Sequence, residues 1–127
     1  MLFRSGNAVL VNEAFADENP EAVKGFLRAL TKGFSDAVAD PEAGVAAVLA
    51  RNETLNSDIE LERLNMANSM NIKTPYVIEN GFGDIDTARL AASIDTLKIS
   101  MGLKGAVTAE DVFDAQYLPP VSDRMLP

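Results

Sequence analysis

The sequence predicts a mostly α-helical chain with a single short strand near its N-terminus. Two recurring signals point to helices: an Asx-Pro-Glu start at Asn19-Pro20-Glu21 and again at Asp40-Pro41-Glu42, and apolar residues spaced three and four apart behind each start. The third observation is the strand itself. Residues 7–12 (Asn-Ala-Val-Leu-Val-Asn) hold an unbroken, partly β-branched apolar run between Gly6 and an Asn-Glu turn.

Such a run, without alternation, predicts a strand covered on both faces. A lone strand cannot satisfy its own N–H and C=O groups, and no second run of similar quality follows. Its partners are therefore expected in another copy or in a larger parent protein. After it, Asn19 is placed as the cap of a long helix with Pro20 in its first turn. Val23, Phe26, Leu27, Leu30, Phe34 and Val38 form its apolar stripe, while Lys24, Arg28 and Ser35 lie on the other side. Asp40-Pro41-Glu42 opens the next helix, carried by Val45, Val48 and Leu49 and ended by Arg51-Asn52. Ser57-x-x-Glu60 reads as a capping box opening a third helix through about Met70. Its residues Ile59, Leu61, Leu64, Met66 and Met70 spread over more than one face, which suits burial on two sides. Thr74-Pro75 begins a short turn closed at Asn80-Gly81, and Asp86 caps a helix with Leu90, Ile94, Leu97 and Met101, closed by Gly102. Thr108 caps a final turn into Val112-Phe113, and Tyr117-Leu118-Pro119-Pro120 is expected as an extended tail.

Composition narrows the chemistry. The 127 residues carry 11 Lys+Arg against 19 Asp+Glu, a net charge of −8, with no His, no Cys and no Trp. Thiolate and imidazole metal sites, Ser/His and Cys triads and His-based proton transfer lack their residues in this sequence. The acidic balance and scattered cations disfavour nucleic acid as a partner. No run of about 18 apolar residues is present to cross a membrane, and no apolar stretch of signal-peptide length follows Met1. No cofactor is implied. Zero cysteines does not decide the redox compartment.

The motifs that could carry chemistry mostly have simpler structural readings. Asp84-Ile85-Asp86 after Gly81-Phe82-Gly83 could offer oxygens to a hard cation, but a helix cap at Asp86 and a turn at Asp84 explain it more simply. Gly81-x-Gly83 lacks the third glycine and the preceding strand of a dinucleotide fingerprint. Lys24, Arg28 and Lys32 form a basic stripe that suits a solvated helix face. Met66, Met70 and Met101 fit helical stripes and are expected to fill core. Glu110, Asp111 and Asp114 read as first-turn anions. Gly6 and Asn7, just before the strand, are the ligand-binding candidates: a loop backbone there can approach a solute, and an Asn amide both donates and accepts.

The order of these pieces resembles a known family. Residues 12–52, with Asn12-Glu13, Asn19-Pro20-Glu21 and Asp40-Pro41-Glu42-Ala43, are similar to the C-terminal part of the periplasmic solute-binding proteins (SsuA/THI5-like) of ABC importers for nitrate, sulfonates, taurine, bicarbonate and the pyrimidine precursor of thiamine. Gly83-Asp84-Ile85-Asp86 and Asp111-Val112-Phe113-Asp114 resemble that family's closing helix and tail. The resemblance implies a parent α/β fold of the periplasmic binding protein type II kind, two lobes closing on a solute, with a permease subunit as partner. Residues 1–5 would then be a non-family tail, residues 6–120 the C-terminal part of the solute-binding domain, and residues 121–127 a C-terminal tail. The parent would be periplasmic or an extracytoplasmic lipoprotein, and not an enzyme. Two alternatives stand beside it: a stand-alone helical protein-interaction module, and a fragment of a related enzyme that forms the thiamine pyrimidine and depends on His and Cys. The last leaves no catalytic role to carry onto this chain.

Overall fold

The computed structural model describes residues 8–102 and 104–127. Seven α-helices are found among them: α1 (Glu13–Glu18), α2 (Pro20–Ala39), α3 (Pro41–Leu49), α4 (Ser57–Ala67), α5 (Pro75–Asn80), α6 (Thr87–Met101) and α7 (Val121–Arg124). A π-helical turn, Asn68–Ile72, continues α4, and a 3₁₀ turn, Ala115–Tyr117, precedes α7.

The mostly helical expectation holds; the strand does not. Residues 8–12 join no ladder, and Leu10 is 91% exposed with Val9 and Val11 also open to solvent. Among the described residues there is no strand with which they could pair. A strand exists only through a neighbour's hydrogen bonds, so an apolar run without one is left as an irregular segment. The turn expected after it is α1 instead. Asn12 caps that helix by accepting from the Phe15 N–H at 3.1 Å.

Local signals place the other helix ends with small corrections. Asn19 does not cap α2 with its side chain; its Nδ2 donates back to the Phe15 carbonyl at 3.2 Å, closing α1. Asp40 caps α3 through the Ala43 N–H. The cap of α4 is Asn56, which accepts from the N–H groups of Asp58 and Ile59, so Ser57 is the first helical residue. Asn56 Oδ1 holds the two N–H groups at 3.0 and 3.1 Å, which satisfies first-turn donors of α4 without the Ser57 hydroxyl. Thr74 caps α5, and Asp86 caps α6 through the Arg89 N–H. Gly81 (φ 84°) ends α5 and Gly102 (φ 63°) ends α6, backbone states that favour glycine.

Helix α3 packs against both α2 and α4. Gly44 makes this close approach possible, since a Cβ at that position would sit 3.3 Å from the Ala37 Cβ on α2 and 3.4 Å from a Leu64 methyl on α4. The core is thin. Its buried apolar members among the described residues are Ala16, Val23, Val45, Ile94 and Ala109. Met66, Met70 and Met101, expected as core filling, are exposed. The accessible surface is 9295 Å² for 13.6 kDa. A compact monomer of that mass exposes about 6,600 Å², and the eight residues outside the description add at most roughly 1,300 Å² even if fully extended. The chain therefore leaves well over 1,000 Å² more open than such a mass ordinarily does.

Candidate functional site

Gly6 and Asn7, the ligand-binding candidates, lie outside the described residues. The segment they lead into has no regular secondary structure and is uncovered, so the apolar side chains of Val9, Leu10 and Val11 face solvent.

The uncovered surface has a second focus on α4. Ile59, Met66 and Met70 recur at a spacing that sets them on one face of the helix and its π-helical extension, and all three are exposed. Leu64, on the opposite side, meets α3 at Gly44. Burial on two sides was expected of α4, and the structure supplies one of them. Beside the stripe runs an open groove bordered by Asp58, Glu62, Asn65 and Ser69. A second open groove, about 400 Å³, separates α6 from the returning chain at Val107 and Ala109, with Asp95 and Glu110 at its rim. Lys98 braces that groove by donating to the Val107 carbonyl at 3.1 Å.

Most acidic motifs resolve into local capping. Asp111 accepts from both the N–H and the hydroxyl of Thr108, at 2.8 and 3.0 Å. Those bonds, the backbone one foremost, hold its carboxyl below the ordinary value of 3.8. Asp114 caps the 3₁₀ turn through the Gln116 N–H. The basic stripe of α2 is a solvated face: Lys24 pairs with Glu21 at 3.0 Å and Lys32 with Asp36 at 2.7 Å, both exposed. Asn68, 7% exposed at the start of the π-helical turn, is a buried amide whose Oδ1 has no hydrogen-bond partner.

The loop Gly81-Phe82-Gly83-Asp84 has a different role from the one its residues suggest. It receives Arg124 from the other end of the chain. The guanidinium donates through Nε to the Pro119 carbonyl at 2.9 Å and through Nη1 to the Phe82 carbonyl at 3.0 Å. Its Nη2 lies 3.5 Å from Asp84 Oδ2, and the Phe82 N–H donates to the Arg124 carbonyl at 2.7 Å. The Phe82 ring packs on Phe34 of α2 with centroids 4.6 Å apart. Tyr76, near Asp84 and Asp86, has its phenol raised above the ordinary 10.0, first by burial and then by those two carboxylates, with Arg124 opposing. Thus the closing residues, expected as an extended tail, are docked. No local pattern marks Arg124, because its partners lie about forty residues upstream.

Among the described residues no group of three or more carboxylates comes together as a metal site, and no helix is long and apolar enough to cross a membrane. No curated protein and no solved structure matches the chain. Residues 5–44, about a third of the chain and reaching from before α1 through α2 to the start of α3, match the family model described as NMT1/THI5 like, which supports membership of that family.

Proposed function

We propose that this chain is part of one lobe of a solute-binding protein serving an ABC importer, of the class that takes nitrate, sulfonates, taurine or the pyrimidine precursor of thiamine. The family-model match over residues 5–44 carries the reading. The uncovered apolar surface is in keeping with it, because a lobe fragment leaves bare the faces that its sheet and neighbouring helices would cover. In the parent, residues 8–11 would add to a sheet edge, and α2 and α3 would pack on that sheet. The role is binding without catalysis. The parent would be extracytoplasmic, and its partner the permease.

The test is calorimetric titration of the longest natural polypeptide containing this sequence with nitrate, taurine, an alkanesulfonate and an aminopyrimidine. Micromolar binding of one of these, absent from residues 1–127 alone, is expected. A polypeptide that binds none of them refutes the reading. The absence of a strand among the described residues favours a second reading, a helical module that docks a protein through the α4 stripe. It predicts a cooperative, monodisperse monomer from residues 1–127.

A further inference from the structure

We propose that residues 115–124 form a strap that opens as a unit, with Arg124 as its latch. The strap consists of the 3₁₀ turn, Pro119-Pro120 and α7, and it lies across α2. Within it, only Pro119 and Arg124 are buried. Two short helical turns with so few buried side chains have little stability of their own, so their docking depends on what those two residues grip. Arg124 supplies most of the grip. Its side chain is 5% exposed, its Nη1 donates to the Phe82 carbonyl of the receiving loop and its Nη2 faces the Asp84 carboxylate, itself 29% exposed, while its Nε bond to the Pro119 carbonyl braces the strap internally.

The receiving loop is shaped for the strap. Gly81 and Gly83 both have φ 84°, and both turn toward it: a Cβ on Gly81 would lie 3.1 Å from the Arg124 Cβ, and one on Gly83 would lie 3.5 Å from a Leu118 methyl. The bonds between Phe82 and Arg124 run both ways, so they form and break together. A buried guanidinium that loses its counter-charge is strongly disfavoured, and the simplest relief is to swing into water. Opening frees the face of α2 beneath the strap and unties the loop between α5 and α6.

Arg124 reports on its own state, because trypsin must take an arginine side chain into its pocket to cleave after it. Timed digestion of the full chain, followed by mass spectrometry, reads release of Met125-Leu126-Pro127 against cleavage after the exposed Arg51 and after Arg28 in α2. Cleavage after Arg124 is expected to be at least about tenfold slower than after Arg51. In Asp84→Asn it is expected to accelerate about tenfold or more, with cleavage after Arg28 unchanged. Equal rates at Arg124 and Arg51 in the unsubstituted chain overturn the latch. So does an Asp84→Asn chain cut no faster at Arg124. Acceleration of Arg28 in step with Arg124 also overturns it, since the strap would then open only when the whole fold does.

Discussion

Replacing Gly44 with alanine sets two effects of similar size against each other, and the structure decides between them. Alanine in a helix interior is favoured over glycine by about 1 kcal/mol. At Gly33 on α2 an added Cβ would meet nothing within 4 Å, so Gly33→Ala should realise most of that gain. At Gly44 the same methyl would come 3.3 Å from the Ala37 Cβ and 3.4 Å from a Leu64 methyl. The leucine can rotate away, but the Ala37 Cβ moves only if α2 moves with it. Overpacking of this kind costs about 1–3 kcal/mol, enough to cancel the propensity gain or reverse it. Gly44→Ala should therefore be about 1–3 kcal/mol less stable than Gly33→Ala, although the chemical change is identical. Urea unfolding followed by circular dichroism at 222 nm, at one low protein concentration, measures the difference. Equal upward shifts of the two midpoints would show that α3 does not approach α2 as described.

Four further outcomes follow from the same geometry. Asn56→Ala should cost about 1 kcal/mol and Ser57→Ala much less, by the same denaturation measurement, because Asn56 holds the N-terminal N–H groups of α4. Residues 1–127 should self-associate in sedimentation velocity, and Met66→Glu should weaken that association while leaving helicity intact, since Met66 is exposed on the open face of α4. The depressed Asp111 carboxyl contributes stability that is present above its ordinary value of 3.8 and lost as pH falls below it. Asp111→Asn should flatten that acid limb in a pH series of thermal melts. Tyr76 has the opposite sign: its raised phenol contributes below 10.0 and loses that contribution as pH climbs beyond it, so Tyr76→Phe should flatten the alkaline limb.

Signals confined to one turn of helix were largely legible in the sequence. Asp40-Pro41-Glu42, Thr74-Pro75 and Asp86 sit at the helix starts they announce, since each cap side chain satisfies a backbone N–H three residues on, and Gly102 sits at its helix end in the left-handed conformation. Where two cap-forming residues stand together, as at Asn56-Ser57, the capping-box pattern points to Ser57, whereas in the structure Asn56 takes the cap. The candidate site was less legible. Gly6 and Asn7 lie outside the described residues, and the acidic cluster at Asp84-Ile85-Asp86 divides between a latch partner and a helix cap. The long-range grip of Arg124 left no trace in local pattern.

By itself, the sequence determined that this chain is helical, acidic, without cysteine or histidine, and divided at its Asx and Gly caps. Those properties follow from side-chain chemistry and from hydrogen bonds that close within a few residues. Tertiary structure decided what lies against what: that residues 8–11 join no ladder, that α4 covers one face and bares the other, and that the C-terminal strap folds back on the loop between α5 and α6. Strand pairing and burial belong to surfaces contributed by distant residues, and a one-dimensional pattern records an apolar side chain without recording what covers it.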